Sequence, residues 1–179
     1  MGETDGPKQA FEFLFYEVIK YFTNQTKTLS DGHATAMNLI ENMGYRIGQR
    51  YIEKLTRNSP RFTSEIDIVK YICRTYWLHL FYKPVDSLKT NNADVYVLLD
   101  SAFSSLTRID PSQQYNSNVE MILAFACGLL RGALTSLGVN CIVNAEILQI
   151  PACKFVLFCI IWNSFHRPIY HTCFTETQI

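Results

Sequence analysis

Residues 39–55, LIENMGYRIGQRYIEKL, read as an amphipathic helix that carries two glycines in its middle turns. Apolar residues recur at Leu39, Ile40, Met43, Ile47, Tyr51, Ile52 and Leu55, close to helical spacing. Glu41, Arg46, Gln49, Arg50, Glu53 and Lys54 take the other faces. In a helix interior each glycine costs about 1 kcal/mol relative to alanine. Gly44 and Gly48 are four residues apart, so they share one side. A helix that bears this cost twice on one side is expected to meet a neighbour at very short range.

A second segment has the same property. In MILAFACGLLRGALTSL, residues 121–137, Ala124, Gly128, Gly132 and Ser136 follow one another at steps of four. Such strips are best attested between membrane helices. Here Arg131 interrupts the segment, and its longest apolar run is about half of the ~18 residues that indicate a span, so a soluble core helix is expected. Gly44, Gly48, Gly128 and Gly132 are therefore close-packing positions. They are expected to let helices and sheet lie near one another and to leave larger apolar side chains for a partner.

Outward from these helices the pattern is that of one α+β domain. Residues 1–8 are expected as a flexible N-terminus, 9–160 as a single domain, and 161–179 as a C-terminal tail. Pro7 suits a first helical turn, and Gln9 to Phe22 follows as a helix so apolar (Phe11, Phe13, Leu14, Phe15, Tyr16, Val18, Ile19, Tyr21, Phe22) that one buried stripe does not account for it. The glycine-bearing helix is expected from His33 to Arg57. A third helix starts at the Ser64–Asp67 capping box and ends before Pro84. From Val85 the period falls toward two. Val85–Thr90, Val95–Asp100 and Phe103–Ile109 read as short strands of a meander. Ser117 and Glu120 form the capping box of the second glycine-bearing helix, and Gly138 ends it. Residues 139–147 and 151–159 alternate as two further strands. The sum is a twisted antiparallel sheet of four to five strands with about four helices packed on it.

Composition removes several classes of function. Lys plus Arg and Asp plus Glu number 16 each among 179 residues, so no basic footprint for nucleic acid exists. Apolar residues make up 48% and aromatics 13%, generous for a small monomer and in keeping with a surface that faces a partner. The first residues, MGETDGPKQ, have no basic-then-apolar signal pattern, which points to a cytoplasmic chain. Gly6 stands where a myristoylation motif needs Ser or Thr. Six cysteines lie in or beside apolar segments without a CxxC pair and read as buried free thiols. Cys159, His166, His171 and Cys173 match no common zinc spacing, and no phosphate loop, nucleophile elbow or HExxH is present. No catalytic residue, metal or cofactor is expected.

The strings IENMGYRIGQRYIEKL, RFTSEIDIVKYICRTYW, VDSLKTNNADVYVLLD, LAFACGLLRGALTSLG and IVNAEILQIPACKF are similar, in order and spacing, to the subunit 6 family of the transport protein particle (TRAPP) complex. The resemblance runs from about Gln9 to Phe158, and the family pattern stops short of Ile160–Ile179. It implies helices on one side of a twisted antiparallel sheet. It also implies a non-enzymatic subunit of a vesicle-tethering complex in ER-to-Golgi transport, cytoplasmic and peripheral at Golgi and endoplasmic reticulum membranes. The assembled complex, not the subunit, acts as exchange factor for a Rab-type GTPase.

The same resemblance implies a heterodimer with a sibling core subunit that carries an acylated cysteine. In the sibling that cysteine follows the MGYxIG helix, whereas the matching loop here, TRNSPRFTSE, has none. Pairing in the family runs through the first and second helices. The residues expected at that interface are Phe11, Leu14, Phe15, Val18, Met43, Ile47 and Tyr51, with core packing as the alternative use for each. The main rival function is a module that binds a small molecule or acyl chain in an apolar pocket.

Overall fold

The computed structural model describes residues 5–91, 94–107, 109, 117–160 and 175–177. The helices are α1 (Asp5–Thr26), α2 (Gly32–Thr56), α3 (Glu65–Tyr71), α4 (Trp77–Phe81) and α5 (Ser117–Ser136), with a π turn at Ile72–Tyr76 between α3 and α4. The strands are β1 (Ser87–Thr90), β2 (Val95–Asp100), β3 (Cys141–Gln149), β4 (Ala152–Cys159) and β5 (Thr175–Thr177). They form one antiparallel sheet in the order β3-β4-β2-β1-β5. This is the α+β class expected. Tyr96, Leu98, Cys153, Phe155 and Leu157 turn inward from the two central strands and are buried, while Val97, Val156 and Phe158 on the other face are not.

The two glycine strips meet each other. A Cβ on Gly44 or Gly48 would overlap the carbonyl oxygen of Phe125 or Leu129, and one on Gly128 or Gly132 would overlap that of Glu41 or Tyr45. Each helix thus sets its glycines on the other's backbone. Rising numbers on α2 match rising numbers on α5, so the two helices run in the same direction through the crossing. Two polar contacts flank it. Arg131 Nη2 donates to Glu41 Oε1 at 2.9 Å while its guanidinium stacks 5.1 Å from the Tyr45 ring centre. The buried Tyr76 hydroxyl donates to the Leu129 carbonyl at 3.0 Å. Arg131 therefore has its carboxylate within the chain, and Arg50 lies in the open beside Glu53 at 3.7 Å.

By length and composition alone, Asn118–Ser136 of α5 is apolar enough to cross a membrane. Here residues 121–130 are all buried beneath α2 and the sheet, as a central helix requires. Gly138, at φ +87°, closes α5: its N–H donates to Thr135 and that of Val139 to Leu134, at 3.0 and 2.9 Å. This is the two-bond glycine end that satisfies the last carbonyls. Glu120 Oε2 lies 2.8 Å from His33 Nε2 of α2.

Three expectations change. Phe103–Ile109 is not a strand: Phe103 N–H donates to the Pro151 carbonyl, and Ser104–Leu106 then form a single 3₁₀ turn. Phe103 and Leu106 fall three apart and both plug the core, which an alternating strand does not allow. The third helix is not uniformly α. Val85 N–H takes the Cys73 carbonyl at 3.0 Å, and the ladder widens so that Trp77 N–H reaches Ile72. Finally, Thr175–Thr177, within the expected tail, pairs with β1 in register Thr90 to Thr175. Residues 161–174, with His166, His171 and Cys173, lie outside the described residues.

A polar knot ties α4 to the sheet. The fully buried Asp100 carboxylate accepts from Trp77 Nε1 at 2.8 Å, Lys83 Nζ at 2.8 Å and Ala102 N–H at 3.1 Å. A buried carboxylate persists only with its lone pairs satisfied. Lys83 also reaches Asp86 at 2.8 Å. Burial alone depresses the Lys83 ammonium, and the two carboxylates outweigh it and hold its pKa above the usual value. The aromatic cluster above the knot joins Trp77, Phe81, Phe103 and Phe155 at ring distances of 4.5 to 5.7 Å.

Candidate partner interface

One stripe of α1 enters the core. Phe15 and Ile19 are buried, four apart, and Phe22 packs against them from the next turn. The Phe15 ring sits 4.5 Å from Phe125 of α5, and Thr23 Oγ1 lies 3.6 Å from Met121 Sδ. Off that stripe, Phe11, Phe13 and Leu14 are 53%, 69% and 65% exposed, and Tyr21 is 59% exposed. Phe11 stacks on Phe15 at 5.9 Å, so the core continues outward as an uncovered apolar surface.

On α2 the buried stripe is Ala36, Ile40, Gly44, Gly48 and Ile52. One residue earlier in each turn runs a second stripe, Leu39, Met43, Ile47 and Tyr51, of which Leu39 and Ile47 are exposed and Met43 and Tyr51 half-buried. Ile47 and Phe11 line the same apolar cavity of about 100 Å³, with Phe81, Phe103 and Phe125 at its floor. A second cleft of about 270 Å³ next to it is bordered by Phe11, Tyr51, Leu80 and Tyr82. Burial, then the nearby Tyr82 hydroxyl, raises the Tyr51 phenol pKa, so it stays a neutral donor. The α1 and α2 faces are thereby one surface.

Of the seven residues expected at an interface, the structure places Phe11, Leu14 and Ile47 in the open, and Val18, Met43 and Tyr51 half-buried. Phe15 lies inside the domain and supports Phe11 from beneath. Sequence reasoning passed over Phe13, Tyr21, Leu39, Leu78 and Tyr82, all exposed. The signal for the α1 pair was present: a helix has room for one buried stripe, so apolar residues off the Phe15–Ile19 stripe must surface.

The chemistry of the site is that of burial. The apolar cavity is smaller than the ~150 Å³ that accommodates a benzene-sized guest, too small for a long acyl chain. The five cysteines among the described residues are all buried and free. Desolvation pushes the Cys73, Cys127 and Cys141 thiols up to about 12, and those of Cys153 and Cys159 upward as well, so none is a ready nucleophile. Among the described residues no group of three His, Cys, Asp or Glu side chains is placed to hold a metal ion.

Comparison with known proteins follows the same lines. The family model described as "Transport protein particle (TRAPP) component" matches residues 11–158. Trafficking protein particle complex subunit 6b of Danio rerio is 43% identical over 145 residues, covering 81% of this chain and 92% of that protein. Subunit 6A of Homo sapiens is 38% identical over 146 residues, with the same coverage of 81% and 92%, and human subunit 6B is 47% identical over 116 residues, covering 65% and 73%. A crystal structure of trafficking protein particle complex subunit 3 from Naegleria fowleri, covalently bound to palmitic acid, superposes with a TM-score of 0.60 at 17% identity, over 90% of this chain and 99% of that one. That likeness concerns the fold. With its glycine crossing, its one-sided helical layer and relatives that are subunits of one particle, the chain belongs to the TRAPP component family, and within it to the subunit 6 group.

Proposed function

We propose that this subunit is a non-enzymatic scaffold that pairs through its α1–α2 face with an acylated sibling core subunit. The observation that carries the reading is the cluster of exposed Phe11, Phe13, Leu14 and Ile47 beside a preformed apolar cavity. Aromatic and aliphatic anchors next to a pocket are what a central hot spot consists of. A standard interface of about 1,600 Å² in total needs such a cluster on each partner. The palmitoylated subunit 3 relative is a partner of the required type, with the acyl chain on its side of the pair. The assembled complex then tethers vesicles in ER-to-Golgi transport and exchanges nucleotide on a Rab-type GTPase. This subunit meets that GTPase only through the complex. It remains cytoplasmic and reaches Golgi and endoplasmic reticulum membranes peripherally through its partners.

The test is co-expression with the subunit 3 sibling and measurement of the pair. Leu14→Asp combined with Ile47→Glu should weaken the one-to-one complex at least about 30-fold, the equivalent of a hot-spot loss of about 2 kcal/mol. Both side chains are exposed, so far-UV circular dichroism should not change. An undiminished complex in the double variant sinks the proposal.

A further inference from the structure

Cys141 is the first residue of β3 and Cys159 the last of β4, and the ladder sets them directly opposite each other. One step beyond the pair, the Ile160 N–H donates to the Asn140 carbonyl at 2.7 Å, and the Cys159 N–H turns the other way, to the Asp94 carbonyl at 2.8 Å. The two cysteines are therefore a non-hydrogen-bonded pair, the closer of the two kinds in an antiparallel ladder, with Cα atoms about 4.5 Å apart. Disulfides form across Cα separations of about 4.4–6.8 Å, so this backbone already holds the bridging distance.

Opposite residues share a face, and both thiols turn inward, 7% and 9% exposed. Cys141 and the Glu65 carboxylate, at the start of α3, both face the Cys159 thiol. Burial keeps the two thiols protonated at rest. They stand, however, at the open end of the hairpin, away from its turn at Gln149–Ala152, where strand ends open at the lowest cost. The other cysteines differ: Cys73 and Cys153 are fully enclosed, and Cys127 faces Cys153 from α5, a different layer, with no ladder to set the spacing of the two.

We infer that Cys141 and Cys159 are an oxidation site, a cross-strand dithiol that hydrogen peroxide converts to an intramolecular disulfide within the folded domain. As the strand ends open, one sulfur attacks, as thiolate, an oxygen of the peroxide. The O–O bond breaks, the attacked oxygen stays on sulfur as a sulfenic acid, and the other leaves as hydroxide, which takes up the thiol's proton to become water. The second sulfur then attacks the first, the S–O bond breaks, and the oxygen departs as water with the second thiol's proton. Two thiols are oxidised and one peroxide is reduced to water. Because the ladder holds the second sulfur in place, this closing step is intramolecular and outruns further oxidation. The bridge ties β3 to β4 at the end that has no turn, and an external thiol reopens it. The site does not rest on the pairing proposed above.

The experiment treats the full chain with hydrogen peroxide under native conditions, quenches it into denaturant with N-ethylmaleimide, and reads intact mass and unreduced peptide maps. A species lacking the mass of two hydrogens is expected, with the Cys141 and Cys159 peptides crosslinked, and dithiothreitol should reverse it. Its melting temperature should exceed that of the reduced chain by at least about 4 °C. Cys141→Ala and Cys159→Ala should each abolish the crosslink and the rise, and Cys127→Ala should leave both. The map of the unaltered chain decides the pairing even where a variant fails to fold. Oxidation of single cysteines to sulfinic or sulfonic acids without a crosslink, or a disulfide that includes Cys127, Cys153 or Cys173, overturns the inference. So does a crosslink that lowers the melting temperature or forms only once far-UV circular dichroism shows unfolding.

Discussion

Gly128 faces the Glu41 carbonyl so closely that no side chain fits, and the neighbour is backbone, which has no rotamer to yield. Alanine there gains about 1 kcal/mol of helix propensity and, against rigid backbone, incurs an overpacking cost at the upper end of the usual range, about 2–3 kcal/mol. We expect Gly128→Ala to destabilise the domain by about 1–2 kcal/mol, lowering the melting temperature by roughly 2–8 °C. Gly6→Ala, in open space, should stay within about 0.5 kcal/mol. Equal melting temperatures for the two variants would contradict the account. The need for close approach at these glycines was legible in the sequence, because two costly residues at a step of four require a reason. That the neighbour is the other glycine helix was not, because spacing within one helix says nothing about which element lies across from it. The same holds for Phe15 and Leu14, adjacent and equally apolar: one is buried and the other is 65% exposed. With nine apolar residues between Phe11 and Phe22, the pattern leaves the rotational phase of α1 open.

At the level of elements, the helices and the strands β1 to β4 follow the periods of the sequence, and the exceptions have local causes. The Phe103–Ile109 segment has a strand's composition, but its apolar side chains answer a void between α4 and β4. Phe103 contacts the rings of Trp77, Phe81 and Phe155 there. Phe103→Ala should therefore cost about 3–5 kcal/mol, as the loss of a core aromatic does. Phe13→Ala, 69% exposed on α1, should cost less than about 0.5 kcal/mol. Urea denaturation of both variants checks this, and similar midpoints would mean that the 3₁₀ turn does not close the core. The π turn was invisible to periodicity because its cause, the Val85 N–H bond to Cys73, comes from beyond the helix. β5 was illegible for a comparable reason: three residues are too few to show a period, and only the open β1 edge selects them.

For the molecule as a whole, α1 packs on α2 and contributes Phe11, Phe13 and Leu14 to an uncovered outer face. A surface of this kind makes a monomer sticky. The isolated chain is expected to self-associate with rising concentration in light scattering, and to become a soluble one-to-one species when co-expressed with its subunit 3 sibling. A well-behaved monomer that shows no change on adding the sibling would count against the role proposed.

α5 contacts both α2 and β3, and it ends at Ser136. On the ribosome α1 emerges before α5, and at about 5–20 residues per second it waits on the order of ten seconds before Phe125 is available to cover Phe15. Through that interval α1 has α2 to pack on but lacks the Phe125 ring that covers Phe15. Under the pairing proposed above, a folded sibling in the vicinity would meet the exposed Phe11 and Leu14 before α5 completes the core, so the order of synthesis favours assembly during translation over assembly after release.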